Sequence, residues 1–179
     1  YFKIPKSVEK FVTELKKNLI IDDEKTVSKF CIIYKIDKNI KNLVYKFIEN
    51  EINGDLDEIS KIYRSNVYLA NIKISKNLNI TDGNEYYANN YHIDNNRFTL
   101  FKLFIPLVDV SINDGPTHII PFKYKNKFVS DSGYLSRNQE LKEVNNNIVY
   151  KNVAKAGEIL VCNTARCFHR AGVPEKNRS

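Results

Sequence analysis

Tyr91-His92-Ile93-Asp94 is the stretch from which the fold is read. One residue separates the His from the Asp, and on a strand that spacing sends both side chains to the same face. An imidazole nitrogen and a carboxylate oxygen then stand close enough to grip one cation together. A third donor, His169, lies near the other end of the chain. The remaining sequence reads as the scaffold that brings these residues together.

Working outward from that stretch, the texture of the chain changes at about residue 67. Residues 67–74 (VYLANIKI) are rich in β-branched and aromatic side chains and read as a strand. Thr81-Asp82-Gly83-Asn84 signals a turn before the His92 strand, and residues 98–108 form a mostly apolar run after it. Asn113-Asp114-Gly115-Pro116 is a strong turn signal, followed by a short strand over 117–122. Residues 126–147 are mostly polar and read as a long loop or insertion. Strands over 148–153 and 158–163 flank the turn at Ala156-Gly157.

The part before residue 67 has helical texture. In residues 7–19, Val8, Phe11, Val12 and Leu15 recur at helical spacing, with Ser7 placed to cap the start. Residues 26–49 form a second apolar-periodic region of one or two helices, burying Phe30, Ile33, Ile40, Leu43, Val44 and Phe47. Asn53-Gly54-Asp55 reads as a turn and 56–63 as a further short helix. Helices first and short strands afterwards give an α+β chain with a mainly β core, a β-sandwich or jelly roll braced by N-terminal helices. The expectation is one domain over 1–179, helical over about 1–66 and β over about 67–179.

Composition bounds the function classes. At 179 residues, 42% hydrophobic and 12% aromatic, the chain can bury a sizeable core. No apolar run approaches the ~20 residues needed to span a bilayer, and no signal-peptide pattern is present. Cys31, Cys162 and Cys167 are odd in number and lack the paired spacing of a zinc site, which suits a reducing, cytoplasmic setting. The net charge of +7 raises the question of nucleic acid, yet Lys and Arg are spread along the chain among Asp and Glu rather than gathered beside a reading element. No nucleic-acid partner is expected. The chain contains no Met and stops soon after His169, so its natural start is expected upstream and a closing strand downstream.

Chemistry concentrates in the histidines, of which there are three: His92, His118 and His169. Two neutral imidazoles and one carboxylate, with open positions left on the ion, form the donor set of non-haem Fe(II) oxygenases. A His-x-Asp triplet alone is a weak signal, and an exposed Asp beside a half-buried His on an ordinary strand reads equally well from it.

Context adds to it. From Asn71 onward the chain resembles the phytanoyl-CoA dioxygenase-like family of Fe(II)/2-oxoglutarate oxygenases. The matching pieces are Tyr91-His92-Ile93-Asp94, Asn113-Asp114-Gly115-Pro116-Thr117 leading to Ile120-Pro121, Gly157-Glu158-Ile159-Leu160, and Thr164-Ala165-Arg166-Cys167-Phe168-His169-Arg170-Ala171-Gly172. That resemblance implies a double-stranded β-helix, cupin-like, with iron at its mouth. It also implies His92, Asp94 and His169 as the iron ligands, with 2-oxoglutarate and O2 as co-substrates and succinate and CO2 as co-products. A basic residue soon after the distal His pairs with the far carboxylate of 2-oxoglutarate in that family. Arg178 matches it best here, a guanidinium fork suiting a carboxylate; a surface Arg, or a true partner beyond Ser179, are the alternatives.

The sequence departs from the family at Pro121-Phe122-Lys123-Tyr124, where many relatives carry Pro-Gly-Ser-His. His118 is then a separate, structural residue. Arg170, next to His169, points away from the ligand on a strand. Asn71 and Lys73 share a strand face and either line the co-substrate pocket or simply give the strand a polar side. The implied activity is hydroxylation of a C–H bond in a small organic or acyl-thioester substrate. A cupin-like metal-binding protein, or a metalloenzyme of another class on the same barrel, is the rival. Residues 126–147 are where substrate contacts are expected. The substrate itself and the oligomeric state are not legible.

Overall fold

A computed structural model describes residues 2–25, 31–79, 89–94, 100–127 and 146–175. The organising element is a strand near the C-terminal end, β7 (Glu158–Cys162), because both of its faces are buried. Strands β1 (Phe2–Ser7) and β4 (Lys102–Phe104) pair with it on either side, both antiparallel. A second sheet has the order β6 (Tyr150–Lys151), β5 (His118–Ile120), β8 (Phe168–Arg170), again antiparallel throughout. The remaining pair, β2 (Cys31–Ile33) with β3 (Ser75–Asn77), stands apart as a two-stranded ribbon.

Alternation along β7 explains the layering. Ile159 and Val161 face the helices, joining a core of Val8, Val12, Phe47, Ile52 and Ile59. Leu160 and Cys162 face the second sheet, packing on Ile119 and Cys167. The result is three layers in the order helices, β1-β7-β4 sheet, β6-β5-β8 sheet. Among the described residues no closed barrel forms, and the architecture is α+β with small antiparallel sheets.

The helical layer is built much as the apolar spacing predicts. Helix α1 (Glu9–Lys17) buries Val12 and Leu15, and helix α2 (Lys38–Phe47) buries Ile40 and Phe47. Phe11 stacks on Phe47 with ring centroids 4.2 Å apart, tying the two helices together. Asp37 caps α2, its carboxylate accepting from the Ile40 amide at 2.9 Å. The N-cap position of α1 is Val8 rather than Ser7, which ends β1 opposite Glu158.

Some expectations give way to tertiary packing. The Asn53-Gly54-Asp55 turn is instead the start of helix α3 (Asn53–Tyr63), reached from α2 through a π turn at Ile48–Ile52. Burial of Ile52 and Ile59 against β7 outweighs the ~1 kcal/mol that Gly54 costs a helix. Within the expected helical region, Cys31–Ile33 forms a strand. Residues 67–74 do not form a ladder strand; the chain is irregular there until β3. Its alternation is real nonetheless, since Ile72 and Ile74 pack on α1 and α2 while Asn71 and Lys73 are exposed. The division into a helical part before residue 67 and a β part after it is crossed by β1, which is a full member of the β7 sheet.

Candidate metal centre

The site grows out of one cross-strand row. Ile119 of β5 lies opposite His169 of β8, and His169 forms an isolated bridge with His92 on its other side. The bridge is reciprocal: each His amide donates to the other's carbonyl at 3.0 Å. Residues directly opposite on antiparallel strands share a face, so both imidazoles lie on the face that carries Ile119, towards the β7 sheet. Asp94, two residues after His92, shares that face. Its amide donates to the Thr164 carbonyl at 3.0 Å, tying it to the turn between β7 and β8.

One ligand atom from each of His92, Asp94 and His169 lies within 4.8 Å of the others. His92 Nε2 is 3.9 Å from Asp94 Oδ1, and His169 Nε2 is 3.8 Å from Asp94 Oδ2. These separations are too long for hydrogen bonds. Donors sharing one ion at about 2.1 Å each stand roughly 3.0–3.4 Å apart, so small side-chain rotations complete the set. The imidazoles are close neighbours, with centroids 4.4 Å apart and planes tilted by 50°.

Ring orientation is fixed from behind. His92 Nδ1 lies 2.8 Å from the Asn90 carbonyl, and His169 Nδ1 lies 3.2 Å from the Cys167 carbonyl. A carbonyl only accepts, so each Nδ1 carries the proton and each Nε2 presents its lone pair towards Asp94. His169 is 5% exposed, and burial, reinforced by His92, lowers its pKa to about 4, against the Cys167 carbonyl and Asp94. It is neutral at pH 7, as a metal-binding imidazole must be.

Asp94 is the anion of the set. Burial raises its pKa, but Lys102, Thr164 and His169 together outweigh that and hold the carboxyl below the usual range. Its Oδ2 is buried without an aligned hydrogen bond, although Lys102 Nζ stands 2.7 Å away as a charge contact. A half-buried carboxylate held ionised beside two imidazole lone pairs is a donor set suited to a divalent cation.

Beneath the row the packing is apolar: Ile119, Leu160, Cys162 and Cys167 are buried, with Phe104 against them. Contact with Cys167 and burial push the Cys162 thiol up, so it stays protonated. The opposite face of the second sheet carries Tyr91, Ile120 and Phe168. There Arg170 lies over the Tyr91 ring at 4.6 Å, and its Nε donates to His118 Nδ1 at 3.0 Å. Arg170 therefore points away from the donor set, and His118 belongs to a brace behind the sheet.

The other expected site residues are not brought to the centre. Asn71 and Lys73 are exposed and outside any strand. Arg178 and residues 128–145 of the polar segment lie outside the described residues. Sequence reasoning missed Lys102, although a single Lys between Leu100-Phe101 and Leu103-Phe104 was the available signal. No helix among the described residues is long and apolar enough to cross a membrane. Comparison with known protein families, with curated proteins and with solved structures returned no match.

Proposed function

We propose that the chain is an Fe(II)- and 2-oxoglutarate-dependent dioxygenase that hydroxylates a C–H bond of a small organic or acyl substrate. The carrying observation is the convergence of His92, Asp94 and His169 in the order His-x-Asp, then distal His. Two imidazoles and one carboxylate suit non-haem Fe(II) and leave positions for further ligands. Two facing antiparallel sheets with the donors between them support a double-stranded β-helix as the underlying fold.

Iron with 2-oxoglutarate and O2 would supply the oxidising chemistry; the chain's own residues provide grip, orientation and dryness. Asp94 contributes the negative charge, held ionised by its neighbours. The Asn90 and Cys167 carbonyls hold both rings in the required tautomer. Ile119, Leu160 and Phe104 provide an apolar floor that limits water at the centre.

The test is succinate formation from 2-oxoglutarate with Fe(II), ascorbate and O2, run beside His92→Ala and Asp94→Ala. Turnover that disappears in both variants supports the proposal. Metal binding without any response to 2-oxoglutarate would move the protein to the cupin-like metal-binding class.

A further inference from the structure

Lys102 stands where a competing cation would stand. On β4 it lies opposite Cys162, whose side chain points into the space between the two sheets, so Lys102 faces that space too. Its ammonium is 2.7 Å from Asp94 Oδ2, one of the two oxygens available to an ion at the triad. An ammonium and a divalent ion cannot both sit against one carboxylate without strong mutual repulsion.

We propose that Lys102 is a built-in competitor for the metal, its ammonium neutralising Asp94 until a divalent ion displaces it and so setting the affinity of the centre. The inference rests on the metal-binding part of the proposed function and concerns this chain's own control of it. A carboxylate with only 17% of its side chain exposed needs a counter-charge when no ion is bound, and Lys102 provides one. The latch is easily opened. The contact is a point charge on a flexible four-carbon stem, and its side chain is 42% exposed. Water is therefore within reach of the ammonium once it leaves. A monovalent cation brings no more charge than the one it must replace, so the arrangement favours divalent ions.

The experiment is Co(II) titration of the full chain at low ionic strength, followed by visible absorption. Lys102→Met is expected to tighten Co(II) binding by about 2- to 5-fold, the worth of a partly exposed charge contact. Lys102→Arg keeps the charge and is expected to bind no tighter than wild type. Lys155→Met removes the same charge at a site paired with Asp109 instead, and is expected to leave affinity unchanged. Added monovalent salt should narrow the gap between Lys102→Met and wild type. Lys102→Gln repeats the comparison should the Met variant not fold. Equal or weaker Co(II) binding by the folded Lys102 variants would overturn the competitor role while leaving the metal centre standing. If neither wild type nor the variants bind Co(II), the metal reading falls and this inference with it.

Discussion

Replacing Gly172 with Ala should destabilise the protein by about 3 kcal/mol, a magnitude that follows from how the chain is stacked after β8. A Cβ at residue 172 would lie 2.7 Å from the Gly115 carbonyl carbon and 3.0 Å from its Cα, and closer still to the Pro116 carbonyl oxygen. All three neighbours are backbone, so no side chain can swing aside. Reaching ordinary contact requires a shift of the 171–175 segment by about 1 Å, of the kind that costs roughly 1–3 kcal/mol. That segment is tied down by Glu175 N donating to Asn113 O at 2.9 Å and Asn79 Nδ2 donating to Glu175 O at 2.7 Å. Losing one such bond adds about 1 kcal/mol. With a urea m-value of about 2 kcal/mol/M for a chain of this size, the midpoint should fall by roughly 1.5 M. Gly54→Ala is the contrast: its Cβ meets nothing within 4 Å in helix α3, and a gain of about 0.5–1 kcal/mol is expected. An unchanged midpoint for Gly172→Ala would mean that residue 172 does not pack against the Gly115–Pro116 backbone as closely as described.

Ile159→Ala and Leu160→Ala should each cost about 2–5 kcal/mol by urea unfolding, because β7 is buried on both faces; one tolerant position of the two would remove a layer from the fold. His118 gives a pH dependence. Burial, with Arg170 and Lys151 adding to it, lowers its pKa from 6.5 to about 4. The unfolded chain therefore binds the proton first, and stability present above pH 6.5 is lost as pH falls from 6.5 towards 4. Discounted for partial exposure, the loss is about 1–2 kcal/mol, read as a wild-type midpoint that drops more between pH 7 and pH 5 than that of His118→Gln. Equal drops would show that His118 does not carry the effect.

Local pattern and long-range pairing were unequally legible. His92 and Asp94 declared their shared face through their spacing, and the structure sets them beside His169 as a group able to hold a metal ion. Helices α1 and α2 followed from apolar periodicity, and β5 and β7 from short apolar runs. What escaped depended on tertiary packing and pairing rather than on local pattern. Strand β1 contains Pro5 and two Lys, an unpromising composition, yet it forms because β7 offers it an edge. Cys31–Ile33 looked helical by its neighbours and became a strand through β3. Gly54 read as a break and was overruled by Ile52 and Ile59 on either side of it. Lys102 was hidden because its meaning lies in a contact between β4 and Asp94 that depends on how the intervening chain turns back.

Whether His92, Asp94 and His169 hold one metal ion together is decided by Mn(II) binding followed by electron paramagnetic resonance. Wild type is expected to bind one ion per chain. His92→Ala, Asp94→Asn and His169→Ala are each expected to lose more affinity than the ~10–100-fold that an outer partner is worth. Binding that persists at wild-type affinity in all three variants would contradict a shared centre.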